Sequence, residues 1–542
     1  MTGFPRLCDL TSVYDAFAQT AARCSDRPML NVQPSTAEIY GIAAGEITYA
    51  AAAAEVEALS ARFAGAGYGA GMRVALLLEN RPSYFLIWLA LNRLGVSVVP
   101  INPDLRAAEL EYLIGHAEPA LILALPARAE GLRAAAEAAG IAAPVVAPGD
   151  TPPPPRHDAA IAGPETGQAA EAALLYTSGT TGQPKGCVLS NTYFLYAGDW
   201  YAELGGIGTL EDGARMITPL PVFHMNAMAC SFMAMIAVGG CLTVLDRFHP
   251  KSWWADVRGS NATCLHYLGV MPSMLMGAAE TPADRDHQVR FGFGAGVDPK
   301  LQAGFEARFG LELVEAWAMT ETGAGAAISA HTKDRLVGAA CFGRPAPEVE
   351  TRLVDAAGQD ADRGELLVRR AGPDPRFGFF TRYFKNPEAT DEAWAGGWFH
   401  TGDIVRCDAD GNLFFIDRKK NVIRRSGENI AAVEVESVLM RHPAIRAAGV
   451  APVPDAIRGD EVFACVVAEG LTASELTAEA LADWALTQMA YYKIPGYIAF
   501  VEALPLTATQ KIQRAALKAL AAECLAQNRA VDLRARKRRQ VA

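Results

Sequence analysis

Residues Tyr176 to Gly186 read YTSGTTGQPKG and follow a short apolar segment, Ala172-Ala-Leu-Leu175, that predicts the end of a strand. These eleven residues hold three glycines, five hydroxyl side chains and one lysine, Lys185. Glycine lets backbone N–H groups turn toward an anion, hydroxyls add donors and the ammonium adds charge, so the loop predicts polyphosphate binding. A Walker P-loop, the obvious rival, needs Gly, four residues, then Gly-Lys-Ser/Thr. Here Pro184 precedes Lys185 and Gly186 follows it, which fits that motif poorly.

Outward from this loop, strand-like runs alternate with helical ones. Residues 73–78 and 96–100 predict buried strands on either side of a helix over 81–94, and residues 120–125 predict a strand before an Ala/Glu-rich helix over 128–139. That alternation predicts a parallel sheet with helices on both faces. Residues 144–172, with prolines at 152 to 155, predict a loop or linker. Met225 to Leu245 is almost uncharged and about long enough to cross a bilayer. Its Asn226, Ser231 and Gly239-Gly240 predict instead a buried helix, a turn and a strand, and no membrane span is expected.

At 542 residues the chain exceeds one typical core, so two or more domains are expected. Hydrophobic residues at 51% and charged residues at 20% suit a soluble globular enzyme. A net charge of −11 argues against general nucleic-acid binding. Ten scattered cysteines without CxxC or zinc spacing predict a reduced, cytoplasmic setting, and the N-terminus is not read as a signal peptide. A second boundary is read near Asp417, dividing the chain into residues 1–418 and 419–542. The basic tail over 530–542, with its run Arg534 to Arg539, is expected to be frayed and solvated.

Four further motifs follow the glycine-rich loop in order. They are Trp317-Ala-Met-Thr-Glu321, Gly397-Trp-Phe-His-Thr-Gly-Asp403 with Arg418 downstream, Arg418-Lys-Lys420 leading to Ser426-Gly-Glu-Asn429, and Pro505 to Arg514 with Lys511. Together with the loop they resemble the signatures of the adenylate-forming superfamily, which includes acyl-CoA synthetases, aryl-CoA ligases, luciferases and peptide-synthetase adenylation domains. The resemblance spans roughly residues 45 to 520. Phe223-His224 and the segments PVFHMNAMAC and KSWWADV look nearest to crotonobetaine/carnitine-CoA ligases.

The resemblance implies an α/β fold. A large N-terminal domain of parallel and mixed sheets with flanking helices carries a distorted β-barrel, and a small, mobile α+β C-terminal domain follows. It also implies a reaction in which a carboxylic acid and ATP give acyl-AMP and pyrophosphate, after which CoA takes the acyl group. The implied cofactors are ATP/AMP, Mg²⁺ and coenzyme A. Thr177, Ser178, Gly179, Thr180, Thr181, Gly182 and Lys185 are expected to hold the phosphates. Trp317 is expected to stack on the adenine, with Met319 and Thr320 among the other nucleotide-binding residues; Glu321 and Thr177 serve the metal, Asp403 and Arg418 the ribose, and Gly427 the pantetheine arm. Lys511, Glu321, Lys185 and His224 are the catalytic candidates, and Lys420 is the hinge. Residue 510, commonly glycine in the family, is Gln510 here.

The expected acyl pocket comprises His224, Asn226, Met228, Gly294, Ala295, Gly296, Ala318, Met319 and Gly323. Acetate-restricted relatives carry Trp at the Ala318 position, so a deeper pocket and a small to medium acid are implied. The carnitine-type relatives carry an acidic residue where Asn226 is neutral. Two other readings stay open: a ligase loading a separate carrier protein, and a non-catalytic nucleotide-binding regulator. A homodimer is left open.

Overall fold

The structure, a computed structural model, describes residues 5–156, 164–177, 183–355, 357–418, 422–468, 476–505 and 512–538. In one sheet Arg73–Leu77, Ser97–Pro100, Leu121–Ala124, Val145–Val146 and Glu171–Thr177 run parallel. The aliphatic side chains of Arg73–Leu77, Ser97–Pro100 and Leu121–Ala124 are buried on both faces, so these strands read as continuous apolar runs without alternation. Proline opens the covering helix Pro82–Arg93, where its missing N–H would have had no helical partner anyway, and Gly95 at φ +72° ends it. Trp88 of that helix is fully buried and donates its indole N–H to the Ala172 carbonyl at 3.3 Å, tying helix to strand.

Lys185–Ser190 pairs antiparallel with Glu171–Thr177, with Thr177 opposite Lys185. The phosphate-type loop therefore joins two strands of a hairpin. A Walker loop leads from a strand into a helix, so that rival is excluded by topology as well as by sequence.

A second sheet has eight strands. Glu312–Trp317, Phe291–Ala295, Cys264–Leu268, Arg215–Thr218, Cys241–Val244 and Pro28–Val32 lie side by side and parallel, in that order. The apolar stretch 225–245 feeds into it as π-helix Asn226–Phe232, α-helix Met233–Ala237 and strand Cys241–Val244. Helix, turn and strand are as expected, while the π form of the first segment is not legible from composition. No helix among the described residues is long and apolar enough to cross a membrane.

Cys341–Gly343, Leu413–Arg418, Phe399–Cys407, Arg363–Arg370 and Val349–Val354 form a five-stranded antiparallel sheet, the half-barrel of this α/β fold. Residues beyond 421 build a further sheet from Val422–Arg425, Glu428–Ala431, Ile445–Asp455, Gly459–Ala468, Tyr497–Phe500 and Val531–Asp532. Helices Ala432–Leu439, Ala478–Gln488 and Arg514–Ala526 complete this smaller α+β unit. Among the described residues its two apolar clusters draw no buried side chain from before Ile423.

The basic tail departs from expectation. Through residue 538 it is docked on the small unit: Arg534 pairs with Asp455 and Asp532, and Arg536 with Asp483 at 2.5 Å. Lys537 is fully buried against Glu461, which also holds Arg425 Nε at 2.8 Å. Charge runs usually stay solvated, but here buried carboxylates supply the partners that make burial tolerable.

Candidate active site

A cavity of about 860 Å³ lies at the carboxyl ends of the parallel strands. Leu220 and Pro221 line it after Arg215–Thr218, and Leu268, Ala295 and Trp317 line it from the ends of their own strands. In open α/β sheets this end collects ligands, because the loops there can vary while the strands hold their roots. The smaller unit closes one side with Val422, Gly427, Glu428, Asn429, Tyr492 and Lys493.

Residues of the first four motifs meet in this cavity although they are far apart in sequence. Glu321 is buried and accepts hydrogen bonds from the Tyr383 hydroxyl at 2.9 Å and from Thr177 Oγ1 at 3.4 Å. Burial, with the Glu321 charge beside it, pushes the Tyr383 phenol far above its ordinary pKa, so it stays a donor. Lys185 Nζ lies 4.6 Å from the centre of the Tyr383 ring, on the same wall. Trp317 donates its indole N–H to Asp403 Oδ2 at 2.9 Å, and both side chains are buried. The strand register sets the Arg418 backbone opposite Asp403. Met319, Thr320, Gly294, Ala318 and Gly323 also line the cavity, and Thr320 is anchored through its carbonyl, which accepts from the Tyr193 hydroxyl at 2.9 Å.

His224 Nε2 sits 3.6 Å from Glu428 Oε1, so the candidate acyl-pocket histidine faces the smaller unit. Gly427, at φ +88°, is packed so that a Cβ there would run into Leu268 Cδ1. The contact between the units is polar at its centre. Lys493 Nζ lies 2.6 Å from both Glu109 Oε1 and Glu434 Oε1, the Ala490 N–H donates to Glu109 Oε2 at 2.9 Å, and Asn102 donates to the Tyr492 hydroxyl at 3.0 Å. Burial alone would lower the Lys493 pKa, but the two carboxylates more than offset it and the ammonium stays charged.

Two expected pocket residues lie elsewhere. Met228 is fully buried in the core with its Sδ 3.1 Å from the Tyr84 hydroxyl, because the π-helix turns it away from the cavity. Gly296 is not on the cavity wall; its N–H donates to Glu315 Oε2 at 2.8 Å. Ser178, Gly179, Thr180, Thr181, Gly182, Lys420, Gln510 and Lys511 lie outside the described residues, as does the Arg418 side chain.

Sequence reasoning missed the residues that hold these groups in place. Tyr383 is 62 residues from the Glu321 it supports. Glu315 is buried, and burial raises its pKa to about 7 against the pull of the Tyr267 hydroxyl and the Gly296 and Val297 N–H groups. It thereby fixes the turn after Phe291–Ala295. Only its position two residues before Trp317 could have drawn notice.

The donor set suits phosphate and a hard cation. One buried carboxylate and one hydroxyl on a single wall match Mg²⁺, which keeps few protein ligands and takes the rest from phosphates and water. No cluster of three or more His, Cys, Asp or Glu residues that could hold a metal occurs among the described residues.

The glycine-rich hairpin, the Trp–Glu turn and the carboxylate on the half-barrel together define an adenylate-forming enzyme. A model of the AMP-binding enzyme family matches residues 17–374, and one of the AMP-binding enzyme C-terminal domain matches residues 434–511. The chain belongs to this family of AMP-binding enzymes. It is 31% identical to a sulfoacetate–CoA ligase of Cupriavidus necator over 92% of this chain and 95% of that one. It is 29% identical to a crotonobetaine/carnitine–CoA ligase of Salmonella typhimurium over 87% of this chain and 93% of that one. A double mutant of the o-succinylbenzoate CoA synthetase of Bacillus subtilis, bound to a product analogue, is 22% identical and covers 93% of this chain and 98% of its own with a TM-score of 0.78. The same synthetase in complex with AMP, at 23% identity and the same coverage, scores 0.62.

Proposed function

We propose that this chain is an AMP-forming acid–CoA ligase that activates a small to medium carboxylic acid as its acyl-adenylate and then passes the acyl group to CoA. The observation that carries the reading is one cavity joining the nucleotide motifs to Gly427 of the smaller unit through Phe223, His224 and Asn226. A single chamber lets an intermediate formed at one end be consumed at the other without release.

A carboxylate is a poor electrophile and hydroxide a poor leaving group, so coupling to AMP removes both obstacles. The first step brings two anions together. Lys511 is the side chain we assign to neutralise them, with Lys185 and the hydroxyls of residues 177–181 on the pyrophosphate end. Asp403 and Arg418 would take the ribose hydroxyls, a carboxylate being the natural acceptor for two vicinal donors. Mg²⁺, held by Glu321 and Thr177, would supply charge neutralisation at the phosphates. In the second step Gly427, lacking a side chain, would let the pantetheine arm pass close to the backbone.

We divide the chain at residues 418 and 419, with Lys420 as the hinge. The contacts of Gly427 and Glu428 with the cavity support reading the present arrangement as the one that forms the thioester. The ten cysteines, all free, suit the reducing cytoplasm to which we assign the enzyme.

The test is acid-dependent pyrophosphate release from ATP across a panel of carboxylic acids, with and without CoA. Turnover that requires CoA supports the reading; the absence of release with every acid of the panel refutes it.

A further inference from the structure

Behind the cavity wall a chain of buried polar groups ends on Asn226. Tyr201 and His266 are both fully buried, and the His266 Nε2 lies 2.9 Å from the Tyr201 hydroxyl. On the other side of the ring, His266 Nδ1 lies 2.7 Å from Ser231 Oγ and 2.9 Å from Asn226 Oδ1. The Ser231 hydroxyl in turn lies 3.2 Å from the Asn226 backbone carbonyl. The π-helix Asn226–Phe232 makes this possible, since its i→i+5 hydrogen bonding draws residues five apart together.

The hydrogens in this chain can be assigned in only one consistent way. Among the described residues the Tyr201 hydroxyl has one hydrogen-bonding neighbour, His266 Nε2, and a buried O–H left undonated is costly. Nε2 must therefore accept. Burial also lowers the His266 pKa to about 3, so the ring is neutral and its one proton sits on Nδ1. The Nδ1–H then donates to Ser231 Oγ and to the side chain of Asn226, while the Ser231 O–H donates to the Asn226 carbonyl. A flipped amide would turn N–H against N–H, so the oxygen of Asn226 faces the ring and its NH₂ is left for the cavity that Asn226 lines.

The geometry points to Asn226 as a donor-only specificity contact, held in that sense by Tyr201, His266 and Ser231, that selects acids whose acyl chain carries an oxygen acceptor: a keto, ester, sulfonate or second carboxylate group. This rests on the acid–CoA ligase reading and deepens it. An acid lacking the acceptor leaves two N–H groups of the wall without a partner when it displaces water, and discrimination of about tenfold or more follows. Tyr201, His266 and Ser231 are positioning residues; only Asn226 would touch the acid.

The experiment measures kcat/KM for acid-dependent pyrophosphate release by the full chain on size-matched pairs: butanoate with 3-oxobutanoate, pentanoate with 4-oxopentanoate, and hexanoate with 5-oxohexanoate. The wild type is expected to favour the oxo acid at least tenfold in one or more pairs, expressed mainly in KM. Asn226→Leu should abolish that ratio. Asn226→Asp, which replaces donor by acceptor, should shift preference toward 5-aminopentanoate. Tyr201→Phe frees the His266 tautomer without touching the cavity, and should shrink the ratio through KM while kcat holds. A purely structural role for Tyr201 would lower both acids of a pair alike and leave the ratio intact, which overturns the relay. Equal rates within every pair in the wild type overturn the inference without any variant having to fold. No pyrophosphate release with any acid overturns the ligase reading itself, and the inference with it.

Discussion

Glu109→Gln isolates the ion pair that ties the two units together. Lys493 Nζ sits 2.6 Å from each of Glu109 and Glu434, with side-chain exposures of 7%, 7% and 10%. Lys493 and Glu434 belong to the same unit, so in the rotation proposed about Lys420 their pair would survive and only the Glu109 leg would break. Losing one hydrogen bond to a charged group costs about 1.5–3 kcal/mol, roughly a 10- to 150-fold shift in the equilibrium between arrangements. Lys493→Met is harsher, because it leaves two buried carboxylates without a counter-charge at about 3–5 kcal/mol. The double variant should recover part of that loss. Two assays separate the half-reactions: ATP–pyrophosphate exchange for adenylation, and thioester formation from supplied acyl-AMP and CoA. Thioester formation is expected to fall by the factor above while adenylation holds or rises. Equal losses in both assays, or an unimpaired thioester step, would refute the reasoning.

Other perturbations test neighbouring parts of the site. Gly427→Ala puts a Cβ into Leu268 at a φ of +88°, where L-residues are strained by about 1–2 kcal/mol, so CoA-dependent turnover should drop about tenfold with exchange spared; a matching loss of exchange would contradict the assignment. Lys511→Ala should show the opposite pattern, losing about 10²–10³ in adenylation while still converting supplied acyl-AMP. Trp317→Phe removes the indole hydrogen bond to Asp403 and should raise KM for ATP several-fold, leaving KM for CoA unchanged. The His266 pKa, depressed to about 3 from an ordinary 6.5, means the unfolded chain binds that proton first, so stability falls as pH drops from 6.5 toward 3. At pH 5 this amounts to about 2 kcal/mol. Urea unfolding at pH 7.5 and 5 should show that part of the acid sensitivity missing in His266→Phe; an unchanged difference would place His266 in water.

The strand ahead of the glycine-rich loop and the motifs at Trp317–Glu321 and Asp403 were legible in the chain because their signals are local. The string of glycines, hydroxyls and one lysine over Tyr176 to Gly186 can be read without knowing what surrounds it, and apolar runs of strand length announce a sheet buried on both faces. Even the small C-terminal unit was readable from its own run of strands and helices. Tertiary structure decided what no spacing encodes. It turned Met228 into the core and Asn226 toward the cavity, because the stretch coils as a π-helix and shifts which side chains share a face. It gave Glu321 its Tyr383, Glu109 its Lys493 and Asn226 its His266, partners separated by 62, 384 and 40 residues. It docked a basic tail that the sequence alone predicted to be solvated, because Glu461 waits buried 76 residues upstream of Lys537. The physical reason is common to all four. Burial makes a polar group depend on a specific partner, and only the folded chain decides which groups are buried together.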